Sequence, residues 1–219
     1  PHIFHTDDEK VWRYVNQFAE FNSFVNRPVA VYMGKVYNLP FNMNTFCQMW
    51  GFVSPEGARG IIKQQVSGLG IKEPRNLEEK ALSMVGPEVY EKLVKGYTEK
   101  QWGRSCRKLP PSIIRRLPLR FTFDNNYFTS RYQGIPIGGY NGIIGDLLRG
   151  SEVMTGTDYF TFRQEHPEIA ERIVFTGSID AFYEYRYGPL EYRSLRFDTS
   201  ELQTRDFQGN AVVNFTDAY

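Results

Sequence analysis

Three histidines and two cysteines supply all the imidazole and thiol chemistry of this 219-residue chain. Cys47 and Cys106 stand far apart and in no metal spacing. Neither a disulfide framework nor a zinc site is expected from them, and a reducing cytoplasm fits. His2 and His5 are three positions apart, with His166 the one other imidazole, so no metal site is expected. No apolar run approaches the roughly 20 residues that a membrane helix needs, and no signal peptide is read. The net charge is +1 and like charges form no block. Such a chain has no field to draw nucleic acid or an anionic membrane, and any arginine function must be local. Missing too are the Gly-x-Gly-x-x-Gly of a dinucleotide loop, the Gly-x-Ser-x-Gly of a nucleophile elbow and the phosphate-binding P-loop.

Aromatic residues are abundant: 16% of the chain, with 17 Phe and 14 Tyr. Composition alone leaves two readings open, a thick aromatic core or a cleft lined by rings. Thr6-Asp-Asp-Glu9 reads as a capped helix start, followed by Val11, Trp12, Val15, Phe18 and Ala19 at helical spacing and ending near Asn22-Ser23. Pro28 to Pro40 reads as a hairpin around Met33-Gly34-Lys35. Short helices are expected over Thr45–Trp50, from Ser54-Pro55 through Gln65, after Asn76, over Val89–Tyr97 and from Pro110-Pro111 to before Pro118. Strands are expected at Arg120–Phe123, Phe128–Tyr132, Glu152–Thr155, Arg172–Asp180, Tyr192–Phe197 and Ala211–Phe215, with a loop from Ile135 opening a helix through Leu148. Strands, then helices, then a mixture predict an α+β fold, with a helical subdomain inserted in a mixed, largely antiparallel sheet.

Lys95-Gly-Tyr-Thr-Glu-Lys-Gln-Trp-Gly103 carries the most chemistry per residue. Aromatic faces take a sugar or a base, and Thr98 can bond a ribose or a base edge. Tyr97 and Trp102 are five positions apart, so a helix end near Tyr97 followed by a turn would aim both rings into one cleft. Both rings in the core is the plain alternative. Arg115-Arg116, with Arg120 close behind, could grip a pyrophosphate through guanidinium forks or could be a solvated face. The backbone of Pro136–Gly142 and the Val174–Asp180 pattern, a strand-like run turning at Gly177 with an acid three residues on, could both approach a ligand.

Pro-His-Ile-Phe-His-Thr, Leu-Pro-Phe-Asn-Met-Asn-Thr, Lys-Gly-Tyr-Thr-Glu-Lys-Gln-Trp-Gly, Phe-Asp-Asn-Asn-Tyr-Phe, Tyr-Gln-Gly-Ile-Pro-Ile-Gly-Gly-Tyr and Glu-Tyr-Arg-Ser-Leu occur in this order. Together they resemble the bacterial UDP-galactopyranose mutases over essentially the whole chain. The resemblance implies a flavoenzyme that interconverts UDP-galactopyranose and UDP-galactofuranose. Its reduced FAD serves as nucleophile: flavin N5 attacks the anomeric carbon, UDP leaves, and the sugar re-forms as the five-membered ring. It also implies a cytoplasmic homodimer that feeds cell-surface polysaccharide synthesis.

By motif, Arg116 resembles the family's diphosphate-gripping arginine and takes the catalytic role. Tyr97 and Thr98 resemble uridine contacts, and Trp102 lines the sugar and phosphate cleft. Tyr127 resembles a second phosphate contact, Asn26 and Asn214 match substrate-side asparagines, and Arg193 matches an arginine near the active site. Leu93 and Val94 stand where some members have phenylalanines. His2, Ile3 and His5 match the loop that touches the flavin, with Gly177 and Asp180 as further cofactor contacts. The implied layout is a flavin-domain edge and helix over 1–24, a sheet-domain hairpin over 25–42 and the helical substrate-binding subdomain over 43–119. Sheet strands over 120–137, a Rossmann-like flavin-domain remnant over 138–181 and closing strands over 182–219 complete it. The opening reads as mid-sequence, and the family's Gly-rich flavin loop and C-terminal portion are not matched. A truncated chain unable to turn over is therefore expected. A non-catalytic UDP-sugar-binding module and an amine-oxidase-like flavoprotein are the alternatives.

Overall fold

The computed structural model describes residues 2–116 and 119–217, and the chain divides into two compact units. The first comprises Pro1–Gly139 with Phe197–Tyr219; the second is Tyr140–Arg196.

In the first unit, β1 (Phe4–Thr6) leads into α1 (Glu9–Val15), whose N-cap Asp8 accepts from the amides of Lys10 and Val11. The helix stops well short of the predicted Asn22. Asn16 closes the last turn by placing its side-chain amide on the Trp12 carbonyl at 2.7 Å beside its own backbone amide, and the Gln17 and Phe18 amides then drop to carbonyls three residues back. Trp12 nevertheless does what the helical spacing predicts, packing on Phe4, Phe21 and Tyr132. β2 (Val29–Tyr32) and β3 (Lys35–Asn38) form the predicted hairpin. Met33 and Gly34 turn it at φ 47° and 74°, the paired positive values of a tight turn that matches strand twist.

Four helices follow: α2 (Met43–Trp50), α3 (Pro55–Ser67), α4 (Leu77–Val89) and, after a π-helical stretch at Tyr90–Lys95, α5 (Gly96–Trp102). Ser54 and Asn76 cap with a side-chain oxygen as read from sequence, and Asn42 caps α2 the same way, two residues ahead of the helix start expected at Thr45. Tyr37, Phe41, Met43, Phe46, Leu77, Ala81, Val85, Val89 and Tyr90 close a core between the hairpin and these helices. Burying a ring such as Phe46 contributes about 1.5–3 kcal/mol.

Segments 120–123 and 128–131 are not strands. Their apolar residues suit a ladder, but side chains and loop backbone take up the main chain instead. The Met43 amide donates to the Thr122 carbonyl at 3.0 Å, and Asn42 Nδ2 donates to the Asp124 carbonyl at 3.1 Å. Only Tyr132–Gly134 forms a strand, β4, antiparallel to β1. β5 (Val213–Phe215) adds in parallel to β2, giving a mixed sheet ordered β3-β2-β5. The fold is α+β, as the sequence pattern implies.

The second unit holds α6 (Tyr140–Leu147), α7 (Tyr159–Glu165) and α8 (Ile179–Phe182), and no strand among its described residues. The runs 152–155, 172–177 and 192–196 are irregular, although their composition predicts strands. No neighbouring chain segment in the unit offers them a ladder, and an unpaired run cannot satisfy its backbone as a sheet. Val174 is 87% exposed. Asp180 is buried and organises the loop that follows: its carboxylate accepts from the Ala181 and Leu190 amides at 3.0 and 2.9 Å.

Candidate functional site

The site grows from the interrupted helix that runs from Leu77 to Trp102. Gly86 breaks α4 with φ 77° and ψ 167°, a backbone that only glycine adopts readily, and Pro87 restarts it. The π-helical turn at Tyr90–Lys95 then leads into α5, which ends at Gly103 with φ 58°. The helix therefore does not stop near Tyr97. Leu93, Tyr97 and Gln101 fall four apart on one stripe, and Val94, Thr98 and Trp102 on the next. Both stripes face the same cleft, so rings five positions apart share it without a turn between them.

The cleft is about 340 Å³ and lies wholly in the first unit. Leu39, Pro40 and Phe41 supply another wall, Ile113 and Ile114 a third, and Tyr127, Asn214 and Thr216 close it. It is an apolar slot with a few hydroxyls and amides, the usual make of a site that grips a flat ring and fixes its edges. Tyr97 is 38% exposed and Tyr127 43%. Burial, with Tyr127 nearby, pushes the Tyr97 phenol above its ordinary range, so it stays a neutral donor. Leu93, Tyr97, Thr98, Trp102, Tyr127 and Asn214 are thus brought together as the sequence implies.

Asn26 is not in the lining but stands one bond away. Its carbonyl accepts from the Tyr127 amide at 2.8 Å, and its buried Oδ1 has no hydrogen-bond partner among the described residues. Arg115 and Arg116 end the 3-10 helix Pro111–Arg116 that carries Ile113 and Ile114; their side chains lie outside the described residues. Arg120 is not a free phosphate fork. Its guanidinium pairs with Asp124 and donates to the carbonyls of Asn126 and Tyr127.

Thr216 is a lining residue that the sequence reading missed. Its hydroxyl, 2% exposed with the rest of the residue, donates to the Lys92 carbonyl at 2.7 Å and so ties β5 to the π-helical turn. The two-residue period of the segment that holds Asn214 places Thr216 on the same face, a signal that was there to be used. Behind the stripes, the Tyr90 hydroxyl donates to Glu78 at 3.1 Å and Glu99 accepts from the Cys106 amide at 3.0 Å. Burial pushes the Cys106 thiol up to about 11 and the Tyr90 phenol up as well, so neither is a nucleophile near neutrality. Partial burial raises the Glu88 carboxyl, but hydrogen bonds from Lys92 and Trp50 outweigh it and hold the group below its ordinary value. That pair fixes α2 to the turn, with Trp50 Nε1 and Lys92 Nζ each 2.6 Å from the carboxylate.

The residues assigned to the flavin are spread over both units. His5 stacks on Phe128 at 3.8 Å, with Nδ1 3.1 Å from the Ser130 hydroxyl; His2 is exposed and Ile3 half-buried. In the second unit Gly177 lies in an irregular exposed run and Asp180 is committed to its own loop; Arg193, expected on the substrate side, pairs with Glu191 at 3.6 Å and donates to the Tyr192 carbonyl. Gly138-Gly139 lie between β4 and α6, but the Gly-x-Gly-x-x-Gly spacing that cradles the pyrophosphate of a flavin dinucleotide does not occur in this sequence. Among the described residues no group of three or more His, Cys, Asp or Glu could hold a metal, and no helix is long and apolar enough to cross a membrane.

This is an α+β protein with an aromatic-lined cleft where a helical insert meets a small mixed sheet. The sequence model of the UDP-galactopyranose mutases matches residues 92–219, more than half of the chain, and the chain belongs to that family. A Klebsiella pneumoniae protein named "Probable UDP-galactopyranose mutase" is 44% identical over 98% of the chain and 56% of its own length. An Escherichia coli dTDP-fucopyranose mutase is 36% identical over 99% of the chain and 59% of its own length. A Mycoplasma pneumoniae UDP-galactopyranose mutase is 25% identical over 98% and 57%. The chain thus spans a little over half the length of the curated relatives it matches.

Proposed function

We propose that this chain is the substrate-binding part of an isomerase that interconverts UDP-galactopyranose and UDP-galactofuranose, and that its cleft holds the UDP moiety. One observation carries the reading: the two helical stripes that bring Tyr97, Thr98 and Trp102 into one cleft with Tyr127 and Asn214. Tyr97 stacks on the base, with Leu93 beside it as an apolar floor, and Thr98 bonds the ribose or the base edge. Trp102 walls the sugar and phosphate end. Tyr127 donates its hydroxyl to the diphosphate, and Arg116 supplies the positive fork that offsets its charge as UDP departs and returns. Asn26, Asn214 and Arg193 complete the polar contacts to substrate.

Reduced FAD supplies the nucleophile in such an enzyme, and His2, Ile3, His5, Gly177 and Asp180 are its proposed contacts in this chain. The segment 43–119 is the proposed substrate-binding subdomain, and 138–181 the proposed remnant of a flavin domain. A cytoplasmic homodimer is the proposed setting, in keeping with two cysteines that stand as free thiols.

The relative named for a dTDP-sugar makes the base the point to test. Calorimetric titration of the chain with UDP and with dTDP decides it. The reading expects UDP to bind at one site and Tyr97→Ala to weaken it; dTDP binding alone would move the substrate to a thymidine sugar.

A further inference from the structure

The cleft wall that carries Tyr127 has no secondary structure to hold it, yet residues 119–127 are pinned along their length. Leu119 bridges to Phe41, and the Arg120 amide donates to the Phe41 carbonyl at 2.9 Å. Phe121 packs on Phe46 and lies under the Arg59 guanidinium at 4.2 Å. Buried Asn42 reaches the Asp124 carbonyl and, at 2.9 Å, Asn125 Oδ1, which Asn44 also contacts. The Asp124 carboxylate accepts from the Asn126 amide at 3.0 Å, and Arg27 Nε donates to Asn126 Oδ1 at 2.9 Å. The last link is Arg120. Its side chain is 15% exposed, and its fork reaches Asp124 Oδ2 at 3.3 Å, the Asn126 carbonyl, and the Tyr127 carbonyl at 3.1 Å.

Two consecutive carbonyls held by one planar cation fix the direction of the chain at the residue that bears the ring. A strand would do this with a ladder; here a guanidinium replaces it. The Tyr127 amide is held on the opposite side by the Asn26 carbonyl, so the residue is gripped at both its N–H and its C=O. We infer that Arg120 is the positioning residue for Tyr127: it touches no ligand and aims the Tyr127 phenol into the cleft by clasping the carbonyls on either side of the Tyr127 Cα. The inference rests on the proposed role of Tyr127 at the diphosphate. A lysine keeps the charge but presents a point donor that cannot span both carbonyls and Asp124 in one plane.

The test is a double-mutant cycle on this chain, read by UDP calorimetry, with Arg120→Lys, Tyr127→Ala and the pair. Arg120→Lys is expected to weaken UDP about tenfold, and the double variant to bind no more weakly than Tyr127→Ala alone, because Arg120 acts only through Tyr127. Penalties that multiply, or an Arg120→Lys chain that binds like the parent, overturn the inference. A second readout separates this from failure of the UDP assignment. Hydrogen exchange at the Tyr127 amide is expected to speed at least about tenfold in Arg120→Lys while amides of α3 keep their rates. If the parent chain binds no UDP, that exchange alone decides: a faster Tyr127 amide upholds the positioning role, and an unchanged one overturns it. General unfolding of Arg120→Lys, seen as loss of helical circular dichroism, would make the residue structural and also overturn it.

Discussion

Replacing Thr216 with valine should remove one hydrogen bond and almost nothing else. The side chains match in shape, so no cavity opens at this residue, which is 2% exposed. The Thr216 amide keeps its 2.9 Å bond to the Val31 carbonyl. What goes is the hydroxyl's 2.7 Å bond to the Lys92 carbonyl, on the π-helical turn that sets the register of Leu93 and Tyr97, with its longer 3.2 Å approach to the Val31 carbonyl. A methyl then faces a part-buried carbonyl, a cost of about 1–3 kcal/mol if the carbonyl is left unpaired. The Lys92 carbonyl can keep a helical donor, which puts the expected loss near the lower end, about 1.5 kcal/mol, or roughly tenfold in the unfolding constant. Urea unfolding followed by tryptophan fluorescence measures it, with Thr216→Ser as the companion that keeps the hydroxyl. The reasoning fails if Thr216→Val matches the parent within about 0.3 kcal/mol while Thr216→Ser is the weaker of the two, for then methyl packing and not the bond matters.

Gly86→Ala should destabilise by about 2 kcal/mol or more in the same unfolding experiment, since the new Cβ would need a φ of 77° and would sit 2.5 Å from Gln65 Oε1; a loss under about 0.5 kcal/mol would contradict the strained geometry. The Cys106 thiol, raised by burial from 9.0 to about 11, and the Tyr90 phenol, raised too, are both held neutral in the folded chain. A group raised on folding favours the fold fully below its unfolded value and ceases to do so as pH climbs through the folded one. Stability should therefore fall between about pH 9 and 11, and Cys106→Ala should flatten the cysteine part of that decline. A stability profile level across that window would refute this.

Local chemistry was the legible part of the fold. Ser54 and Asn76 cap where their types predict, and Met33-Gly34 turns the hairpin, because such signals depend on a few neighbouring residues. Strands failed where partners decide. Runs such as 172–177 have strand composition but no ladder, and 120–123 gives its backbone bonds to Phe41 and Met43 instead. The cleft was half legible. Tyr97, Thr98, Trp102, Tyr127 and Asn214 came from motifs, yet their convergence depends on a helix that the sequence reading ended too early. The helix expected over Val89–Tyr97 instead continues through the π-helical turn and α5 to Trp102. Arg120 and Thr216 were missed as positioning groups because their partners are carbonyls, which carry no residue-type signature.

The most direct test of the central claim is UDP binding to the parent chain and to Trp102→Ala and Tyr97→Ala by calorimetry. The account predicts one site, with each substitution weakening it about tenfold, the loss expected when a base or sugar ring loses an aromatic partner. Binding that is absent, or that persists unchanged in both variants, would contradict it.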